Sequence, residues 1–95
     1  MVITPNTRMQ LVQSQTSSVL GKETVVLNYE LGSFYELNEP GGFVWSLLQT
    51  QKTMSVEKIK NRLLEEYEVD EIVCQEELTM FLENLLHEKL IETTA

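Results

Sequence analysis

The chain has 95 residues, of which 42% are hydrophobic, and a formal net charge of −8. A chain of this length buries roughly 60–65% of its unfolded surface, which is enough for one core, so we predict a single domain over residues 1–95. No apolar run approaches the roughly 18 residues of a membrane span. The amino terminus lacks the basic and long apolar regions of a signal peptide. These features favour a globular protein of the cytoplasm.

The residue types that carry most enzyme and metal chemistry are scarce. Cys74 is the only cysteine and His87 the only histidine, too few for an internal disulfide or a thiolate zinc cluster. Cys74 lies among apolar and acidic residues, whereas a nucleophilic thiolate needs positive neighbours. No nucleophile, base and orienting group occur together. We therefore expect no enzyme activity, no metal and no cofactor.

The negative charge is concentrated in the last third of the chain. From Glu65 onward there are ten acidic residues and one base, Lys89, which is a net charge of −9, whereas the preceding residues carry +1. Such a field repels nucleic-acid phosphates and favours a basic or neutral partner. A solvated acidic face that maintains solubility explains the charge equally well. A winged-helix DNA-binding protein would carry Lys and Arg on its recognition helix, so we expect no nucleic-acid partner.

Hydrophobic and polar residues alternate in the first part of the chain. This period of two over residues 8–11 and 24–31 predicts two half-buried strands. The polar segment 14–22 is predicted to be a loop, and a short turn with Gly32 leads into a third strand at 33–37. The apolar set of the second strand is Val25, Leu27, Tyr29 and Leu31. The predicted result is a three-stranded antiparallel meander with its third strand at the edge.

After Asn38 the hydrophobic period becomes helical. Asn38 is a suitable N-cap, so a first helix is predicted to run to about Gln51. Ser55 is the predicted cap of a second helix, and a third helix ends near Lys89. The apolar pair 90–91 is expected to fold back onto the core. A three-stranded antiparallel sheet followed by three helices predicts an α+β fold of the winged helix-turn-helix type.

The third predicted strand carries an aromatic side chain on the face that does not pack against the core. Neighbouring residues of a strand point to opposite faces, so if Tyr35 and Leu37 face the core, Phe34 and Glu36 face outward. An aromatic residue beside an edge strand indicates a docking place for another extended chain. The alternative is that Phe34 only covers the outer face of the sheet.

The apolar arc of the third helix spans about 140°, wider than the roughly 100° stripe of a typical surface helix. One part of this arc can pack on the core. The other part, formed by Gln75, Thr79 and Leu86, is predicted to line a groove, although plain core packing explains the width nearly as well.

An ordered set of motifs resembles the PqqD family. In chain order the set comprises Gly32, Phe34-Tyr35, Leu37-Asn38-Glu39, Gly41, Val44-Trp45, Leu47-Leu48, Val69-Asp70, Leu78, Phe81-Leu82, Leu85 and Leu90-Ile91. The similarity covers about residues 7–92. Lys89 departs from the family pattern, because glycine is common at that position.

The resemblance implies a non-catalytic recognition element for precursors of ribosomally synthesised, modified peptides. In that family a leader peptide is held as an added strand beside the third strand and against the third helix. The chain is most similar to the stand-alone proteins of lasso-peptide pathways, which pass a leader with a Tyr-x-x-Pro-x-Leu element to a leader-cleaving cysteine protease. The alternative within the family is a PqqD-type chaperone that presents a precursor to a radical iron–sulfur enzyme.

The resemblance also implies which residues bind the leader. They are Phe34, Tyr35, Glu36, Leu37, Gln75, Leu78, Thr79, Leu82 and Leu86. An edge strand that accepts a peptide can accept a second copy of the same chain, so a homodimer through this strand is a further partner prediction.

Overall fold

The computed structural model describes residues 3–94. Met1, Val2 and Ala95, which belong to the predicted 1–95 domain and in part to the signal-peptide argument, lie outside the described residues. The helices are α1 (Glu39–Gln51), α2 (Val56–Glu66) and α3 (Glu71–His87). The strands are β1 (Arg8–Leu11), β2 (Gln15–Leu20), β3 (Glu23–Asn28), β4 (Ser33–Leu37), β5 (Thr53–Ser55) and β6 (Ile91–Thr94). The predicted α+β class with three helices is confirmed. Within the described range, no helix has the length and apolar character needed to cross a membrane.

Side-chain caps set where the helices begin. Asn38 Oδ1 accepts a hydrogen bond from a first-turn amide of α1 at 2.9 Å, and Ser55 Oγ does the same for α2 at 3.2 Å. Both predicted caps are therefore confirmed. Asp70 Oδ1 accepts two first-turn amide hydrogen bonds of α3. Each cap contributes about 1 kcal/mol to stability, and together they fix the chain direction at each helix start.

The strands form two separate antiparallel sheets, ordered β5-β1-β6 and β2-β3-β4. The predicted loop at 14–22 is wrong, because it contains β2, which pairs with β3 along its whole length. The meander is therefore β2-β3-β4, and β1 belongs to the other sheet. Most β2 residues are exposed, so the strand has no apolar face that a sequence pattern could show. Pairing with β3 is what holds it in place.

β3 buries the face that has fewer apolar residues. Thr24, Val26 and Asn28 are buried, whereas Val25 and Leu27 are only half-buried. The helix α1 packs on this strand, so closely that a Cβ added to Gly42 would lie 2.8 Å from the Thr24 Oγ1. The small polar residues on the inner face thus make room for the helix.

Asn28 joins the meander to the end of α3. Its Nδ2 donates a hydrogen bond to the Lys89 carbonyl at 2.7 Å. Its Oδ1 accepts from the amides of Glu30 and Leu31 at 3.1 and 3.2 Å. Because these partners satisfy both ends of the buried amide, it ties two elements together at little cost.

Lys89 closes α3 in a conformation that glycine usually supplies. Its φ is 59°, and the Leu90 amide after it donates to the Leu85 carbonyl at 3.0 Å. This is the hydrogen bond of a Schellman cap. Glycine is the usual residue at this point of a helix end because it adopts a positive φ without strain.

One hydrophobic cluster draws residues from all three helices and from both sheets. Trp45 of α1, Met9 of β1 and Leu82 of α3 are among its fully buried members. Leu90 and Ile91 are also buried, which confirms that this pair folds back onto the core.

Candidate functional site

β4 forms an edge of the meander, because its pairing partner β3 lies between it and β2. Leu37 is buried and Tyr35 half-buried, whereas Phe34 and Glu36 are exposed, so the predicted alternation of faces is confirmed. Phe34 is 63% exposed, a large fraction for an aromatic ring in a strand. The edge therefore combines an open main chain with an uncovered apolar side chain.

The hairpin between β2 and β3 determines which main-chain groups of β4 are free. The two residues Gly21-Lys22 separate the pair Leu20↔Glu23, and the closing pair of a two-residue hairpin exchanges both hydrogen bonds. Glu23 therefore directs its N–H and C=O groups toward β2. The direction of these groups alternates along a strand, so Thr24, Val26 and Asn28 direct theirs toward β4.

The partners of these three β3 residues are Leu37, Tyr35 and Ser33, so those β4 residues direct their N–H and C=O groups toward β3. Phe34 and Glu36 consequently direct theirs away from the sheet. The same two residues thus present both side chains and main-chain hydrogen-bonding groups to a partner.

α3 lies beside this edge. At one end, Ser33 Oγ donates a hydrogen bond to the Glu88 carbonyl just after α3, at 3.0 Å. At the other end, a Cβ added to Gly41 would lie 3.2 Å from the Phe81 ring. Ser33 therefore ties the start of β4 to the end of α3, and Phe81 of α3 lies close to the first turn of α1, which follows β4.

A cavity of about 270 Å³ opens where β4 ends. We call it the β4 groove. Its walls are formed by Asn38, Pro40, Gly41, Val44, Leu63, Tyr67, Val69, Cys74, Glu77, Leu78 and Phe81. The walls are mainly apolar, and Glu77 is their one carboxylate. Such a cavity is large enough for one large apolar side chain and offers few polar groups to anything more hydrophilic.

The titratable groups of the β4 groove favour binding over chemistry. Burial raises the pKa of the Cys74 thiol, Glu77 and Glu71 raise it further, and Lys60 opposes them. A thiol with a raised pKa stays protonated at neutral pH and is a poor nucleophile. Among the described residues, no group of three or more His, Cys, Asp and Glu side chains is arranged to hold a metal ion.

The structure brings only some of the predicted leader-binding residues together. Phe34, Tyr35, Glu36 and Leu37 all lie on β4, and Leu78 lines the β4 groove. Leu82 is fully buried in the core, where it shapes the groove only through packing.

The remaining predicted residues lie on the other flank of α3. Gln75 and Thr79 line a small crevice with Ile3 and Pro5. Leu86 lines a separate groove with Ile91. The structure does not bring these three side chains to β4, and their role in binding stays a prediction.

Sequence reasoning did not select Phe81, Glu77 or Tyr67, although all three line the β4 groove. The helical wheel shows that Phe81 lies at the opposite end of the apolar arc from Leu86. It does not show which end faces β4, because that depends on how α3 packs against the two sheets.

Comparisons with known proteins identify a family and two structures with a similar fold. The family model of coenzyme PQQ synthesis protein D (PqqD) matches residues 23–91. The structure titled "TbiB1 in Complex with the TbiA(beta) Leader Peptide" has a TM-score of 0.79 and 28% sequence identity, and the match covers 90% of this chain and 98% of that chain. None of the curated proteins matches this chain.

A second solved structure, "Lasso peptide synthetase B1 complexed with the leader peptide", has a TM-score of 0.74 and 17% identity, covering 88% of this chain and 96% of that one. At that identity it supports the fold alone. The PqqD model, by contrast, matches most of the sequence, including β3, β4 and all three helices. This chain therefore belongs to the PqqD family.

Proposed function

We propose that this protein is a non-catalytic leader-peptide-binding protein of lasso-peptide biosynthesis. It captures the precursor by strand addition to β4 and delivers it to the leader-cleaving cysteine protease. The observation that carries the proposal is the free edge of β4 at Phe34 and Glu36, with an apolar cavity where the strand ends. The similarity to a leader-peptide complex at 28% identity supports it.

The main chain sets the register of an added strand. Leader residues opposite Phe34 and Glu36 exchange hydrogen bonds with them, and their side chains share the outer face of the sheet with Phe34. Leader residues opposite Tyr35 and Leu37 make no such bonds and point to the inner face, toward the β4 groove. Alternate leader side chains thus meet different surfaces, which is how strand addition achieves specificity.

This register assigns places to a Tyr-x-x-Pro-x-Leu element. Proline lacks an N–H group, so it fits opposite Tyr35 or Leu37, where β4 would accept no hydrogen bond from an added strand. The leucine two residues later shares the inner face, opposite Tyr35 or Ser33 in an antiparallel strand. The tyrosine three residues before the proline takes the outer face and contacts Phe34.

Delivery follows from holding two partners on one small protein. A leader bound to β4 and a protease bound elsewhere on the surface meet at a high effective concentration. The exposed acidic residues of α3, Glu76, Glu77 and Glu83, favour basic residues of the leader or of the protease. We expect charge reversal at these three positions to weaken assembly at low salt, and an unchanged affinity there would contradict this electrostatic role.

The family match favours a second candidate function, a PqqD-type chaperone that presents a precursor to a radical iron–sulfur enzyme. It would use the same β4 edge with a different peptide and a different enzyme. A second copy of this chain is a further candidate for the same edge, and it would compete with the leader. Sedimentation of the free and the leader-bound protein distinguishes self-pairing from leader binding.

The proposal is tested by fluorescence anisotropy of a labelled leader peptide with the Tyr-x-x-Pro-x-Leu element. We expect saturable binding at roughly micromolar concentration or tighter, which corresponds to about 8 kcal/mol. Phe34→Asp should abolish it. Leu20→Asp is the matched control, because Leu20 is 65% exposed, compared with 63% for Phe34, and lies at the far end of β2. No binding by a folded sample would contradict the lasso assignment and leave the chaperone candidate ahead.

A further inference from the structure

The meander leaves an apolar patch open to solvent at the turn between β3 and β4. On the outer face of β3, Leu27 is half-buried, and Tyr29, which continues that face just beyond the strand, is 60% exposed. Leu31, in the turn itself, is 62% exposed. We call Leu27, Tyr29 and Leu31 the turn patch. The proposed function does not use it.

The turn patch continues the surface that Phe34 presents. Leu27 is the pairing partner of Phe34, and neither directs its main-chain groups toward the other, so their side chains lie close together on the outer face. The Tyr29 amide donates to the Ser14 carbonyl at 3.0 Å, which extends the sheet and places Tyr29 diagonally from Phe34. The exposed parts of Tyr29, Leu31 and Phe34 amount to roughly 350 Å², a patch size that is often functional on a soluble monomer.

Hydrogen bonds fix the turn that carries this patch. The Asn28 Oδ1 accepts from the amides of Glu30 and Leu31, and the Gly32 amide donates to the Asn28 carbonyl at 2.8 Å. Gly32 supplies the positive φ of 75° that the turn requires. Because this backbone is ordered before any partner binds, little conformational entropy is lost on docking. The turn is therefore suited to contact with a folded protein surface.

The direction of an added strand decides which part of a precursor passes the turn. Both strand pairs of the meander are antiparallel, and an antiparallel leader is the one whose residues exchange both hydrogen bonds with Phe34 and Glu36. Such a strand runs from beside Leu37 toward Ser33. The segment that follows the bound leader element, which leads to the core peptide, consequently leaves the sheet beside the turn patch.

We propose that the turn patch is the docking surface for the leader-cleaving protease, which covers it with an apolar surface of its own. This inference rests on the proposed function for the identity of the protease and the position of the leader. An enzyme seated on Tyr29 and Leu31 lies where the precursor leaves β4, so its active site is close to the bond that follows the leader. Docking at the Leu37 end would place the enzyme on the amino-terminal side of the leader, away from that bond.

The test measures two affinities with the full chain, using a labelled leader peptide and the purified leader-cleaving protease as probes. Leu31→Asp places a charge in the turn patch, and turns accept aspartate readily. Tyr29→Thr removes apolar area without adding charge. Leu20→Asp is the matched control, because Leu20 is 65% exposed and lies at the other end of the meander, roughly 17 Å along β3 from the turn. Thermal melts confirm that each variant is folded.

We expect Leu31→Asp to weaken protease binding to the leader-bound chain about tenfold or more, and Tyr29→Thr about threefold to fivefold. A charge held against an apolar surface is more unfavourable than a loss of apolar contact, and leader affinity should stay within about twofold. Unchanged protease binding, or an equal loss in Leu20→Asp, would overturn the inference. Loss of leader affinity alone would assign the patch to the leader, and a dimer that Leu31→Asp converts to a monomer would assign it to a second copy. Either result would also overturn it.

A second arm tests the direction of the leader. A photo-crosslinking residue placed two to four residues after the leucine of the leader element should attach to residues 29–32 of this chain. The same group at the amino terminus of the leader peptide should not. The reverse pattern would mean a parallel leader and would contradict the proposed position of the protease.

The two affinities separate this inference from the proposed function. If the leader fails to bind the original chain, the proposed function fails, while titration of the protease against the leader-free chain and its Leu31→Asp variant still decides the role of the turn patch. If the leader binds and the protease ignores both patch variants, only the inference fails.

Discussion

The two flanks of α3 border two different cavities, and these cavities are built differently. On the β4 side, Phe81 packs against the start of α1 and closes an apolar cavity. On the β6 side, Leu86 borders an open groove with a charged rim. The two cavities thus differ in how far they enclose a ligand and in the charged groups at their rims. A more enclosed site selects side chains mainly by size and shape.

The largest expected effect is a loss of stability on truncating Leu82, which lies on α3 between its two flanks. Leu82 is fully buried, so Leu82→Ala should lower the free energy of unfolding by about 3 kcal/mol. Urea denaturation measures this change. A loss under about 1 kcal/mol, together with a large loss of leader affinity, would show instead that Leu82 contacts the leader directly.

The next effect separates main-chain from side-chain recognition at β4. Glu36→Pro removes an N–H group that points away from the sheet, so we expect leader affinity to fall about tenfold or more while the fold persists. Glu36→Ala keeps that N–H group and should retain most of the affinity in the same anisotropy assay.

Tyr35→Pro is the matched contrast, because the Tyr35 N–H points toward β3. It should destabilise the domain itself, which circular dichroism melts would show. Equal stability of the two proline variants would mean that the assigned register of β4 is wrong.

A third prediction compares the flanks directly. Phe81 and Leu86 are both half-buried and both pack against the core, yet only Phe81 lines the β4 groove. Phe81→Ala should weaken leader binding about fivefold to tenfold through lost apolar contact. Leu86→Ala should weaken leader binding less than Phe81→Ala does, because Leu86 lines a different groove. The reverse order of effects would place the leader on the β6 flank, as the family resemblance alone implies for Leu86.

The smallest expected effect is at the end of α3. Lys89 has a positive φ, which costs a non-glycine residue roughly 1–2 kcal/mol. Glycine relieves that cost but loses more entropy on folding. We therefore expect Lys89→Gly to stabilise the protein by about 0.5–1 kcal/mol, seen as a melting temperature several degrees higher. A decrease would show that the lysine side chain makes a stabilising contact that outweighs the strain.

Local features of this protein were predictable from sequence. The caps Asn38 and Ser55 depend on hydrogen bonds within three residues. The outward position of Phe34 follows from strand alternation once Leu37 is buried. Each of these depends on neighbours along the chain, so a pattern of residue types is enough to indicate it.

Features set by distant contacts were not predictable in this way. β2 depends on pairing with β3 and has no apolar pattern of its own. The buried face of β3 is the one that packs against α1. Polar Asn28 is buried on that face because its side-chain amide donates a hydrogen bond to the carbonyl of Lys89, 61 residues away along the chain.

The sequence by itself determined the three helices, the caps Asn38 and Ser55, the strand that carries the exposed aromatic residue, and the family to which these motifs belong. Only the tertiary structure decided which flank of α3 borders each cavity, and hence which side chains each cavity contains. The physical reason is how far apart along the chain the interacting residues lie. Helix and strand periods are local, whereas the placement of a helix between two sheets is set by the burial of one shared core.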